Sequence, residues 1–177
     1  MTAIRTVDGF TLDFLVPRVE SINIRNIARA LSNTCRFAGQ IEQFYSVAQH
    51  SVLVSNLVPR EHALQGLLHD GAEAYCHDIT TPLKKLLLDY QEIEARVWVK
   101  VAERFGVPIL LHPSVKEADA LALTVEDRDI RHLPESIAAA AVSPFPLIPL
   151  PPDRAYVVFM NRWDDIVADL NLDESFG

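Results

Sequence analysis

His69 and Asp70 are adjacent, and Glu73 follows one helical turn later, within Leu67-Leu68-His69-Asp70-Gly71-Ala72-Glu73-Ala74-Tyr75-Cys76-His77-Asp78. An imidazole beside a carboxylate is a metal-type ligand pair, and a further carboxylate one turn on can exchange protons next to it. If the stretch is helical, the spacing puts all three side chains on adjoining surface of one helix. The apolar stripe of that helix runs Leu64, Leu67, Leu68, Gly71, Ala72 and Tyr75, which leaves His69 and Asp70 on the border between core and cleft. Ionisable groups in such a place need partners. A bare His-Asp dipeptide ordinarily just opens a polar face, so the reading depends on His50 and Asp119. Taken alone, His50 reads as a core histidine with one hydrogen bond. Asp119 falls inside the stripe Val115, Ala118, Ala122, Val125. An inward aspartate is costly unless a cation or several donors meet it. A cap or a buried ion pair would also satisfy it, but with His50, His69 and Asp70 upstream, metal ligation is the stronger reading.

The elements that must position these residues are mostly helical. Asp8-Gly9 between short alternating segments, over Arg5 to Phe14 with Val7, Phe10, Leu12 and Phe14 as the apolar members, predicts a small hairpin. Ser21 or Asn23 can cap a helix carrying Ile24, Ile27, Ala28 and Leu31, which Ser32-Asn33-Thr34 ends or bends. Arg36 to Gln40 reads as a loop. Ser46 caps a helix from Val47 to about Leu57, with His50 in its first turn, and Pro59 suits the first turn of the helix bearing the His-Asp stretch. Thr80-Thr81-Pro82 starts another short helix with Leu83, Leu86, Leu87 and Leu88 around Lys84 and Lys85. A longer one runs from about Gln91 to Phe105, its face made of Ile93, Val97, Val101, Ala102 and Phe105 and its stop Gly106; Trp98 reads as packing. Pro113-Ser114 opens a helix from Val115 to about Ile130. The Pro-rich stretch from Ala138 to Pro152 reads as a loop over the body, and a last helix from about Arg154 to Leu170 bears Val157, Val158, Trp163, Ile166 and Val167.

With 177 residues the chain suits one domain, and 49% hydrophobic with 23% charged residues is ordinary for a soluble protein. A net charge of -8 argues against a phosphate-neutralising surface for polymeric DNA or RNA. A small anionic substrate responds to local cations and is not excluded. Cys35 and Cys76 form neither a disulfide framework nor a zinc-type pair, so reduced thiols are expected. Met1-Thr2-Ala3-Ile4-Arg5 lacks the apolar core of a signal peptide, and no apolar run reaches spanning length. The expectation is a cytoplasmic protein with no membrane partner.

His50, then His69-Asp70, then Asp119, on three helices of a mostly helical chain, resembles the HD-domain superfamily of metal-dependent phosphohydrolases. The similarity is closest to the branch of bacterial 5′-deoxynucleotidases and phage-type dATP triphosphohydrolases. It is carried by Ser46-Val47-Ala48-Gln49-His50-Ser51, Leu68-His69-Asp70-Gly71-Ala72-Glu73, Asp78-Ile79-Thr80-Thr81-Pro82-Leu83-Lys84 and Lys116-Glu117-Ala118-Asp119. The resemblance implies an HD-type helical bundle in which His50, His69, Asp70 and Asp119 hold one divalent ion. Two imidazoles and two carboxylates suit Mn, Co, Fe, Zn or Ni better than Mg alone. His62, His77, His112 and His132 do not match the pattern of binuclear members, so a single ion is expected. A small (deoxy)nucleotide is the implied substrate, either dNMP cleaved to deoxynucleoside and phosphate or dNTP cleaved to deoxynucleoside and triphosphate. Glu73 is then placed for proton exchange, with a surface helix carboxylate as its bland alternative. Arg36, Lys84 and Lys116 match positions that meet phosphate, and each alone would be surface decoration. Phe37 stands where relatives often place a tryptophan against the base. Asp78 resembles an aspartate that bonds the sugar 3′-hydroxyl, although a cap before Pro82 would explain it as well. The resemblance also admits a homo-oligomer. A signalling-nucleotide hydrolase, or a catalytically silent nucleotide-binding module, is the alternative: the first lacks its extra motif blocks here, and the second predicts an eroded ligand set.

Overall fold

The computed structural model describes residues 2–133 and 146–170. It is mostly helical with a small N-terminal hairpin, as the periodicity predicts. Strands β1 (Ala3–Arg5) and β2 (Thr11–Asp13) pair antiparallel, Ala3 opposite Asp13 and Ile4 opposite Leu12. Gly9 supplies the left-handed residue of the turn (φ 90°). Leu12 is buried completely, whereas Val7 and Phe10 remain exposed, so the hairpin is pinned to the body by one side of β2.

Helix α1 (Ile24–Asn33) is capped by Asn23, whose side chain accepts from the Arg25 amide; Ser21 instead donates to the Thr11 carbonyl. Its stripe Ile24, Ile27, Ala28, Leu31 is buried as spaced. Helix α2 (Val47–Leu57) starts at Ser46, whose hydroxyl accepts from the Gln49 amide at 3.1 Å. This helix packs against α1, α3 (Ala63–Leu68), α7 (Pro113–Asp129) and α8 (Pro152–Leu170). Because it has neighbours all round, residues Val47 to Val52 are buried in succession, and a polar stripe is missing from it. One core gathers α1, α2, α3, α4 (Glu73–Cys76), α6 (Leu88–Phe105) and α8; a smaller one joins Val54 to Val115, Ala118 and Ala122 of α7.

Several boundaries differ from expectation. The His-Asp stretch is not one continuous helix. After Leu68 the regular helical hydrogen bonding gives way to tight three-residue turns, with Gly71 N bonded to Leu68 O (2.7 Å) and Glu73 N to Asp70 O (2.9 Å), before α4, although His69 and Ala72 keep right-handed helical dihedrals. Packing explains the tightening: a Cβ on Gly71 would stand 2.9 Å from Leu68 O and 3.1 Å from Val101 Cγ1, so the turn is pressed onto α6. Helix α5 (Thr81–Lys84) is a single turn, and Leu83, Leu86 and Leu88 are exposed. Helix α6 begins at Leu88, earlier than expected, and stops at left-handed Gly106. The buried stripe of α8 is Ala155, Phe159, Trp163, Ile166, while Val157 faces out. Of the loop expected from Ala138 to Pro152, the part before Pro146 lies outside the described residues. Residues 146–151 are irregular and tied down by Gln49, whose amide donates to Ile148 O (2.7 Å) and accepts from Leu150 N (3.0 Å). Among the described residues, no helix is long and apolar enough to cross a membrane.

Candidate metal centre

Three helical segments converge on one point. The first turn of α2 brings His50, fully buried because α2 is the central helix. The turn after α3 brings His69 and Asp70, and α7 brings Asp119. Nε2 of His50 lies 3.3 Å from Nε2 of His69, 3.2 Å from Asp119 Oδ1 and 3.6 Å from Asp70 Oδ2; His69 Nε2 lies 3.2 Å from the same Asp70 oxygen. His50, His69 and Asp119 offer ligand atoms all within 4.8 Å of one another and could hold a metal ion, with Asp70 closing on both imidazoles. Asp119 does not point into the core as its place in the apolar stripe predicts. Its side chain is half exposed.

The donor set fits a divalent cation. Each ring is oriented through its far nitrogen: His69 Nδ1 donates to the Gly66 carbonyl (2.8 Å) and His50 Nδ1 to Glu126 Oε1 (2.7 Å). Both Nε2 atoms therefore face each other, and a positive charge is needed between them. A proton on His50 meets that demand in part. Burial and the nearby Arg36 push its imidazolium down, yet Glu126 and Asp119 outweigh them, and its pKa rises to about 9. A metal meets it more fully: ligand bonds of roughly 2.0–2.1 Å at tetrahedral angles place neighbouring donors roughly 3.3 Å apart, close to the separations here.

Glu126 has no place in the sequence reading, although it is wholly buried and holds the site from behind. It accepts from His50 Nδ1 and, through Oε2, from Arg36 Nη2 at 3.0 Å. Against the cost of burial, His50 and Arg36 hold its carboxyl below the ordinary range. The available signal was its spacing, seven residues after Asp119 on the same helix and hence on the same face. A carboxylate behind a ligating histidine fixes its tautomer and raises its basicity, and loss of one typically costs about 10–100-fold in metal affinity. Glu126→Gln is therefore expected to weaken binding of Mn or Zn about 10–100-fold, read by calorimetric titration; unchanged affinity would remove Glu126 from this role.

Arg36 reaches the site because the 36–45 excursion is closed at its base, by the Cys35–Ser46 bridge and by Arg36 N to Tyr45 O (2.9 Å). It spans Glu126 and, at 3.8 Å, Asp70. The expected loop is a tight turn, Arg36–Gly39, with Phe37 and Ala38 in left-handed conformation (φ 57° and 51°). Such non-glycine residues store strain of about 1–3 kcal/mol each, which clusters at functional sites. The Phe37 ring has the guanidinium carbons of Arg36 and Arg131 at 5.1 Å from its centroid.

A cleft of about 340 Å³ opens beside the ligands, lined by His69, Asp70, Glu73, Lys84, Glu94 and Trp98, among others; Phe37 is not part of its wall. Glu73 is buried there, with Oε1 on Lys84 Nζ (3.2 Å) and Oε2 without a partner. Burial, then the Asp70 and Asp78 carboxylates, raise its pKa well above the usual range, only partly opposed by Lys84. Asp70 is held low in spite of burial, by His69, His50 and Arg36. Asp78 is half-buried, and burial raises its pKa while Arg36 opposes the rise. It is not a cap: Thr80 occupies that position in α5 and makes no side-chain bond there. Lys84 is held by two carboxylates, Glu73 and Glu94. Lys116 is exposed on α7, one turn before Asp119, and does not line the cleft. Thus His50, His69, Asp70, Asp119, Arg36, Glu73 and Lys84 are brought together; Lys116 is not.

No family model matches the chain. It is 42% identical over 171 residues to "Uncharacterized protein YfdR" of Escherichia coli (strain K12), covering 94% of this chain and 96% of that protein. It is also 37% identical over 134 residues to "Uncharacterized protein RCAP_rcc00048" of Rhodobacter capsulatus, covering 70% of this chain and 68% of the relative. At that identity and coverage, the chain belongs to the same family as YfdR.

Proposed function

We propose that this protein is a mononuclear metal-dependent phosphohydrolase of the HD-domain type, acting on a small deoxynucleotide. The convergence of His50, His69 and Asp119 on one point, with Asp70 against both imidazoles and all four in the chain order of the HD motif, carries the reading. A divalent ion bound there supplies Lewis acidity toward a phosphoryl oxygen and acidifies water. Arg36 and Lys84 flank the ligands and offset negative charge on the incoming phosphate, the first as a planar fork and the second as a point charge. Glu73, buried and raised in pKa, carries a proton between water and the leaving oxygen. Asp78 faces the sugar.

Between the two products, charge favours the monophosphate. Lys84 is already shared by Glu73 and Glu94, Arg36 by Glu126 and Asp70, and Lys116 lies outside the cleft. A triphosphate would meet an acidic wall with no further cation lining it among the described residues. The test is a panel of dNMPs, NMPs and dNTPs with Mn, Co, Zn, Fe and Ni each supplied. The expected product is inorganic phosphate from a dNMP. Release of triphosphate would reverse the substrate assignment, and nucleotide binding with no turnover under any metal would overturn the enzyme reading.

A further inference from the structure

Glu94, on the α6 wall of the cleft, has no part in the hydrolytic scheme, and yet it makes the shortest contact to the cleft's lysine. Lys84 Nζ lies 2.7 Å from Glu94 Oε1 and 3.2 Å from Glu73 Oε1. The Tyr90 hydroxyl stands 3.1 Å from that same Glu94 oxygen and 2.7 Å from the His77 carbonyl, so its single proton is shared between them. The Gln91 amide donates to the Lys84 carbonyl at 2.7 Å and fastens the end of α5 to α6. All three charged side chains are largely withdrawn from water, Glu73 most of all. An arrangement with two carboxylates and one ammonium on a cleft wall is more than neutralisation requires, and one ammonium divides its three donors between the two partners.

We infer that Glu94 is a positioning residue: it draws the Lys84 ammonium toward α6, so that Glu73 is steadied by Lys84 without being closed into an exclusive ion pair. This inference rests on the hydrolase reading of the site. Without Glu94, the ammonium has one carboxylate left and moves onto Glu73, covering the carboxylate that must exchange a proton. Glu94 touches no reacting atom and acts through Lys84.

Two measurements test it. Competitive acetylation with peptide mass spectrometry compares Lys84 with Lys85, its exposed neighbour, in the full-length protein and in Glu94→Gln. An ammonium clamped between carboxylates acylates slowly, so the Lys84-to-Lys85 ratio rises severalfold in the variant; an unchanged ratio overturns the clamp. In steady-state kinetics with a dNMP, Glu94→Gln lowers kcat about tenfold, because a displaced catalytic group loses its aligned geometry. The loss in kcat exceeds any rise in KM, because Lys84 also offsets phosphate charge and its displacement weakens binding as well as proton transfer. The same substitution in a Lys84→Met background has no further effect on kcat, because the lysine through which Glu94 acts is gone. A kcat loss undiminished in that background overturns the inference, and so does a kcat unaffected by Glu94→Gln alone. Glu94→Asp, which retracts the carboxylate by one methylene, gives intermediate values of the ratio and of kcat if the clamp is real, and parental values if it is not. A parent protein inert toward every phosphate ester would sink the hydrolase reading and with it the catalytic half of this inference, while the labelling ratio still decides the clamp.

Discussion

His69→Ala and Asp70→Ala are each expected to yield a folded protein that holds no stoichiometric divalent ion and hydrolyses no nucleotide. The two residues sit side by side on the tight turn between α3 and α4, and their ligand atoms are 3.2 Å apart. Removing either takes away one corner of the set while leaving His50 and Asp119 where α2 and α7 put them. The three donors that remain leave one corner to water, and a site opened in this way holds a borderline ion too weakly to keep it through exhaustive dialysis. Fold integrity is expected because His69 and Asp70 border the cleft, whereas the core is held by Leu64, Leu67, Leu68 and Ala72 around them. Metal analysis after exhaustive dialysis, together with thermal melting by circular dichroism, checks both halves. Parental metal content in either variant would show that the ion sits elsewhere.

Glu73→Gln is expected to behave in the opposite way, keeping its metal and losing turnover. Glutamine preserves the shape and an oxygen for Lys84, and it leaves the His50, His69, Asp70 and Asp119 set untouched. It cannot give or take a proton. General acid–base catalysis contributes about 10²–10⁴-fold, so kcat should fall by about that factor. The environment of Glu73 supports the assignment: a buried carboxyl with one oxygen lacking a partner is costly unless that oxygen is used in the reaction. A Glu73→Gln enzyme as active as its parent, at equal metal content, would remove Glu73 from proton transfer.

Where structure is set locally, sequence alone was a sufficient guide. Ser46 and Asn23 cap their helices through side-chain oxygens, an interaction spanning two or three residues; Ser46 was readable as such, and Asn23 as one of two candidates with Ser21. The stripe of α7 was equally legible, since Val115, Ala118, Ala122 and Val125 are buried at helical spacing. The failures share a cause in contacts between distant segments. The turn at 69–72 is tight because Gly71 is pressed against Val101, thirty residues on. Glu126 looks like a surface carboxylate until His50 and Arg36, from α2 and the turn before it, are brought against it. In α8, the choice between Val157 and Phe159 as the inward residue depends on which side of the helix meets α1 and α2. Within the site, His50, His69 and Asp119, a group that could hold a metal ion, were legible because such a group needs particular residue types. The wiring of Lys84 was not, because one ammonium can satisfy any carboxylate its stem can reach.

Because α2 lies at the centre of the bundle, the His50 imidazole is part of the same member that α1, α3, α7 and α8 lean upon. An enzyme that mounts its ligands on surface loops can trade them without disturbing its frame. Here the histidine proposed to anchor the ion and the keystone of the architecture are one object, so neither can drift independently of the other.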